Sequence, residues 1–199
     1  MVEEGDPVPK FIIIDSNGKK VKSTDFKGKK HVIYFYPKDF TPGCSTQADE
    51  FSAEYKKFQK NEIEIIGISP DDEESHKKFC SKMGIKYVLL SDTEKEVSKA
   101  FGVWGMKKFM GREYMGVTRS SFLVNEKGKI FKIYPKVKPK GHALEVLEDF
   151  AGSGSAFASN PFGNAPPFLL ADTFAFASSA AASAAAFASS IFCCSNLFK

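Results

Sequence analysis

Val32-Ile33-Tyr34-Phe35-Tyr36, running on through Pro37-Lys38-Asp39-Phe40-Thr41-Pro42-Gly43 to Cys44, decides how this chain folds. Five consecutive apolar or aromatic residues suit a strand buried on both faces, which places it centrally in its sheet. Beyond the Pro- and Gly-containing loop, Ala48, Phe51, Tyr55 and Phe58 recur on one face of a helix that starts near Cys44.

Outward from this unit, apolar runs of strand length alternate with stretches of helical period. Phe11 to Ile14 reads as a strand closed by the turn Asp15-Ser16-Asn17-Gly18, and Ile63 to Ile68 and Tyr87 to Leu90 supply two more. Ser121 to Val124 and Ile130 to Tyr134 flank Asn125-Glu126-Lys127-Gly128 as a hairpin. His76, Phe79, Cys80 and Met83 share a helix face that ends at Gly84, and Leu144, Leu147 and Phe150 mark a last helix. Ser91 and Glu94 have capping-box spacing for a helix with Val97, Ala100 and Phe101, ended by Gly102. Six strands and four helices in the order β-β-α-β-α-β-α-β-β-α predict an α/β fold, a mixed central sheet covered by helices on both faces.

The chain has 199 residues, enough for one well-buried domain. Only Asp172 and Lys199 are charged beyond residue 150, so the fold is assigned to 1–151 and residues 152–199 to a low-complexity Ala/Ser/Phe tail. We expect that tail to be disordered or a weak Ala-rich helix. The uncharged run from Thr173 to Phe198 is long enough to cross a bilayer, but six serines and an alanine-dominated composition argue against a membrane anchor. The net charge of +4 is spread without basic blocks, which argues against a nucleic-acid partner. Four cysteines, Cys44, Cys80, Cys193 and Cys194, are too sparse for a secreted disulfide framework. Together with an N-terminus that lacks a targeting pattern, they imply a reducing, cytoplasmic setting.

Cys44 falls in the first turn of its helix, where unpaired backbone amides and the positive end of the dipole favour a thiolate over a thiol. Gly43 lets a bound oxygen approach the backbone, Pro42 stiffens the turn, and Thr41 offers a hydroxyl. These are the parts of a small oxyanion-type pocket. An isolated cysteine is more often a small buried packing residue, but a packing cysteine has no use for the Thr-Pro-Gly run before it.

Pro37, Thr41 and Cys44 match the peroxiredoxin signature of proline, three residues, threonine, two residues, cysteine. The wider Tyr-Pro-Lys-Asp-Phe-Thr-Pro-Gly-Cys run resembles the Q-type, or bacterioferritin-comigratory, branch of that family. The likeness extends from about Pro7 to Phe150 and includes Gly116-Val117-Thr118-Arg119-Ser120-Ser121-Phe122-Leu123, which is similar to the segment that carries the family's active-site arginine.

The resemblance implies a thioredoxin-like fold and a thiol-dependent peroxidase. In it Cys44 is the peroxidatic nucleophile, Thr41 orients the peroxide, and Pro37 shields the thiolate. Arg119 stabilises negative charge, Gly43 and Gln47 line the substrate site, and Gln47 orients Arg119. The substrates are hydrogen peroxide and organic hydroperoxides, no metal or organic cofactor is needed, and thioredoxin or a similar dithiol is the reductant. The branch implies a monomer.

A common position for the branch's second cysteine, five residues after the first, is Asp49 here. Cys80 matches an alternative position, which implies an intramolecular Cys44–Cys80 disulfide. Because disulfide geometry requires Cα atoms within about 7 Å, two cysteines on separate helices demand local unwinding before they join. Simple packing of Cys80 is the competing reading, with an external thiol then resolving the sulfenic acid. His31, His76 and His142 are scattered and read as surface or packing residues. A non-enzymatic alternative, a redox-controlled binding protein or holdase, has no physical need for Thr41, Cys44 and Arg119 together.

Overall fold

A computed structural model of the chain describes residues 2–109 and 111–153. The tail, with Cys193 and Cys194, lies outside the described residues. Nine strands and five α-helices are present among them: β1 (Ile12–Asp15), β2 (Lys20–Lys22), β3 (Lys30–Phe35), α1 (Pro42–Ala53), α2 (Tyr55–Lys60), β4 (Ile63–Ser69) and α3 (Glu73–Met83) come first. They are followed by β5 (Val88–Ser91), α4 (Glu96–Ala100), β6 (Trp104–Phe109), β7 (Arg112–Val117), β8 (Ser120–Val124), β9 (Ile130–Tyr134) and α5 (His142–Ser153). Seven strands form a mixed sheet in the order β2-β1-β5-β4-β3-β8-β9, while β6 and β7 pair separately.

The apolar run of β3 is buried on both faces, as its sequence predicts. It lies parallel to β4 and antiparallel to β8, with Tyr34 opposite Gly67 on one side and Ser121 on the other. Two cores result. Ile33 and Phe35 point into one with Ile66, Ile68, Val97, Phe101 and Phe122. Val32, Tyr34 and Tyr36 point into the other, against Phe51 of α1, Phe58 of α2, Phe79 of α3 and Val146 of α5. Helices therefore cover both faces, α4 alone on the first and the other four on the second.

Local signals placed most elements. Asp15 Oδ1 accepts from the amides of Asn17 and Lys19 and closes the first turn, Gly84 caps α3 at φ 62°, and Asn125 Oδ1 accepts from Lys127 and Lys129 in the β8–β9 hairpin.

Four features differ from the sequence reading. The helix expected to run from Cys44 through Phe58 breaks at Glu54, where ψ is 1°, so that α2 swings Phe58 under the sheet. The capping box expected at Ser91 and Glu94 is absent: Ser91 ends β5, and Asp92 instead accepts from the amides of Val97 and Ser98. β2 was missed because its only apolar residue stands between two lysines. The β6–β7 hairpin was missed because its outer face is uncovered, leaving Met106, Tyr114 and Met115 exposed and no burial pattern to read.

Candidate active site

Cys44 sits at the third position of α1, after Thr41 as the N-cap and Pro42 and Gly43 as the first two helical residues. Proline has no amide hydrogen, so the first turn presents the N–H groups of Gly43 and Cys44 without intrahelical acceptors, whereas the Ser45 amide already donates to Thr41 O at 2.9 Å. Cys44 is 2% exposed. Thr41 Oγ1 donates to Lys38 O at 3.0 Å, which commits its proton and leaves its oxygen lone pairs free to accept.

Arg119 comes from the turn between β7 and β8. Its backbone is fixed on both sides: the Thr118 amide donates to Val103 O at 2.8 Å, and Arg119 O accepts from the Val137 amide at 2.9 Å. Because β8 lies beside β3, this turn opens next to the start of α1. Arg119 Nη2 consequently donates to Cys44 Sγ at 3.0 Å. Glycine at position 43 leaves room for that guanidinium, since a Cβ there would stand 3.0 Å from Nη1, 3.2 Å from Nη2 and 3.3 Å from Pro139 Cγ, closer than ordinary contact.

A second cation approaches the same point. Lys107 of β6 donates its ammonium to Val117 O; burial first, and then the charge of Arg119, push its pKa down, while Cys44 acts in the opposite sense. Sequence reasoning missed it, because the residue becomes relevant only through the hairpin's pairing. Pro37 is half-buried at the start of the loop. Gln47 is 0% exposed one turn after Cys44, but no hydrogen bond joins it to Arg119: both of its amide atoms and Arg119 Nε are buried without partners.

Cys80 is half-buried on α3, and both it and Cys44 are free thiols. Burial pushes the Cys80 thiol up, partly offset by a hydrogen bond with Ser16. Tyr34 and Tyr87 link the neighbourhoods of the two sulfurs. Both rings pack in the core that holds Cys44 and borders Cys80, and their hydroxyls are 2.9 Å apart.

All three histidines are buried and hydrogen-bonded, His31 to Lys29 O, His76 to Asp39 and His142 to Ser121. Ser121, His142 and Glu145 line up at 2.9 and 3.2 Å in the order of a hydrolase triad, but Ser121 is sealed inside the sheet and no substrate can reach it. No group of acidic, cysteine or histidine side chains among the described residues could hold a metal.

A helix-start thiol beneath a fixed guanidinium, on a mixed sheet with this strand order, can be compared with known proteins. The family model described as AhpC/TSA matches residues 4–133. The chain belongs to the AhpC/TSA family. Within it, Peroxiredoxin Bcp of Bacillus subtilis is 44% identical over 147 residues, covering 74% of this chain and 94% of the relative. Peroxiredoxin Bcp of Escherichia coli is 40% identical over 146 residues, covering 73% and 94%. Among solved structures, the bacterioferritin comigratory protein of Xanthomonas campestris superposes with TM-score 0.69 at 34% identity, covering 73% of this chain and 92% of that one. Xylella fastidiosa PrxQ gives TM-score 0.74 at 31% identity, covering 78% and 99%. The chain is a peroxiredoxin of the Bcp/Q branch with a thioredoxin-like fold, and so a thiol peroxidase. No helix among the described residues is long and apolar enough to cross a membrane.

Proposed function

We propose that Cys44 reduces hydrogen peroxide and organic hydroperoxides by direct attack of its thiolate, and that Cys80 then resolves the product. The observation that carries this reading is the Arg119 Nη2 to Cys44 Sγ contact of 3.0 Å at the amide-bearing start of α1. That arrangement favours negative charge on sulfur and on an oxygen drawn into the same cradle.

A hydroperoxide enters with its O–H donating to Thr41 Oγ1 and its oxygens facing the amides of Gly43 and Cys44 and the Arg119 guanidinium. The S–O bond forms as the O–O bond breaks. Sulfur is oxidised to sulfenic acid, and the departing hydroxide or alkoxide takes a proton and leaves as water or alcohol. Pro37 screens the thiolate from solvent. Gln47, with both amide atoms buried and unpaired as Arg119 Nε also is, lines the substrate pocket and has bonds to give once the substrate and its water enter.

The Cys80 thiol next attacks the sulfenic sulfur, forming a Cys44–Cys80 disulfide and releasing water. A dithiol protein such as thioredoxin then reduces the disulfide, becoming oxidised itself and restoring both thiols. Support for Cys80 comes from spacing: serine variants of two cysteines in Xanthomonas campestris peroxiredoxin Q lie 36 residues apart, as Cys44 and Cys80 do. The alkyl peroxide reduction for which the Xanthomonas protein is described supports organic hydroperoxides as substrates. We place the enzyme in the reducing cytoplasm, where a dithiol reductant is kept reduced, and read it as a monomer.

Peroxide consumption by the Cys44→Ser variant tests the reading. Loss of turnover with an intact fold is expected; turnover at the wild-type rate would overturn it.

A further inference from the structure

The loop that carries the active site is bound to the helix that carries Cys80, through a buried polar cluster at Asp39 and the strained, exposed Phe40 beside it. Asp39 lies five residues before Cys44. Its carboxylate accepts from Tyr36 Oη at 2.8 Å on one oxygen, and from Ser75 Oγ at 2.7 Å and His76 Nδ1 at 2.8 Å on the other. Its own amide donates to Asp71 Oδ2 at 2.6 Å. Ser75 and His76 form the first turn of α3, and Cys80 stands one turn beyond His76 on the same helix.

His76 is held at both ring nitrogens. Nδ1–H donates to Asp39 Oδ2 at 2.8 Å, while Nε2 faces Leu90 O at 3.2 Å and Ser69 Oγ at 3.5 Å. The Asp39 and His76 side chains are 1% and 0% exposed. Removing His76 leaves the buried Asp39 carboxylate one hydrogen bond short.

The next residue makes a second attachment. Phe40 has φ 57°, a left-handed conformation that a phenylalanine keeps only when surrounding contacts hold it. Its ring packs edge-on to Phe79 at 5.2 Å, and Lys82 Nζ lies 5.5 Å from its centroid. Phe79 and Lys82 also belong to α3. Two consecutive loop residues thus grip one helix, on either side of Cys80 in sequence.

We infer that Asp39 and Phe40, through Ser75, His76 and Phe79, form a latch that holds α3 against the active-site loop and whose opening sets the rate of disulfide formation. This inference rests on Cys80 being the resolving thiol. Cys44 and Cys80 are free thiols on separate helices, so α1 or α3 must shift or unwind locally for the sulfurs to bond. Every latch contact opposes that movement, and the strained Phe40 backbone relaxes once it is made. The latch residues do not touch the sulfur, the guanidinium or the amides of the cradle, so they act as positioning residues for the second step. A firm latch prolongs the sulfenic acid and exposes it to a second peroxide, which carries it to sulfinic acid.

Rapid quench after one equivalent of hydrogen peroxide, followed by intact-mass analysis, separates peroxide-dependent oxidation of Cys44 from the peroxide-independent formation of the disulfide. His76→Gln is expected to speed disulfide formation at least tenfold. Ser75→Ala, which removes one half-exposed hydroxyl and keeps the Asp39–His76 hydrogen bond, should speed it about threefold and guards against a folding failure of the first variant. In both, the second-order rate of Cys44 oxidation should stay within about threefold of wild type, and the peroxide concentration that half-sulfinylates Cys44 should rise in step with the disulfide rate. A role confined to stability would not move that ratio. Disulfide formation unchanged or slower in folded Ser75→Ala overturns the latch. If wild type and Cys80→Ser give the same products, Cys80 does not resolve, and the latch falls with that assignment.

Discussion

Gly43→Ala tests the cradle by moving the guanidinium without removing any charge. The new Cβ would lie 3.0 and 3.2 Å from the two Arg119 Nη atoms. Ordinary contact needs about 3.4 Å or more, so the guanidinium must retreat by about 0.4 Å. At the observed Nη2 to Sγ distance of 3.0 Å, a charge pair in an effective dielectric of about 20 is worth roughly 5.5 kcal/mol, and the retreat removes roughly 0.6 kcal/mol of it. That corresponds to about a threefold loss of rate, with the poorer hydrogen bond extending the range to about tenfold. Arg119→Gln removes the donor and its charge altogether and should cost about 10²–10³-fold. Stopped-flow measurement of the second-order rate with hydrogen peroxide, with the dithiol reductant saturating, reads both. The double variant decides the mechanism: because the alanine acts through the guanidinium, it should add nothing once Arg119 is gone. A double variant that falls by the product of the two single losses would refute this account. Position 43 is helical and not left-handed, so alanine there should leave the thermal midpoint unchanged or slightly raised.

Three further outcomes follow from the packing and the buried ionisable groups. Gly67→Ala would set a Cβ 2.5 Å from Leu89 Cδ2 and 2.8 Å from Tyr34 Cζ, in the layer between β4 and the helices. Urea denaturation should show a loss of about 3 kcal/mol or more, and a loss under 1 kcal/mol would mean that Tyr34 moves aside freely. Burial holds the phenols of Tyr34, Tyr36 and Tyr87 protonated well above the ordinary value of 10, so the stability they contribute is complete below about pH 10 and is lost as pH climbs above it. Tyrosinate absorbance should therefore rise together with unfolding as one transition; a gradual rise in a folded protein would contradict the burial. On the acid side, burial pushes the pKa of His31 and of His142 down, so the unfolded chain takes up protons first and stability declines as pH falls below about 6.5. For Asp39, burial alone would raise the pKa, but His76, Ser75 and Tyr36 outweigh it and hold the carboxyl below its ordinary 3.8. Its contribution is present above that value and is lost as pH falls through the folded one. Asp39→Asn should flatten the lower limb of the acid curve only, and a change confined to the limb near pH 6 would assign that limb wrongly.

The sequence by itself determined whatever depends on neighbours along the chain. The apolar run Val32 to Tyr36 made β3 a doubly buried strand, Gly18, Gly84 and Gly128 marked turns that need positive φ, and the Thr-Pro-Gly run put Cys44 in the first turn of α1. A period, a cap and a turn are each complete within a few residues, and so their signal is local. The same locality misled at Ser91 and Glu94, where Asp92 caps α4 because the chain leaving β5 brings its carboxylate, not the Ser91 hydroxyl, to the free amides. Only the tertiary structure decided which distant groups meet. Arg119 reaches Cys44 across 75 residues because β8 pairs with β3, and Lys107 arrives through a hairpin with no burial pattern to reveal it. Asp39 and His76, 37 residues apart, looked like an unremarkable loop acid and a packing histidine until the crossover from β4 to α3 closed one over the other. A charge acts through space, and the sheet order that sets those distances is fixed by the packing of all its strands together.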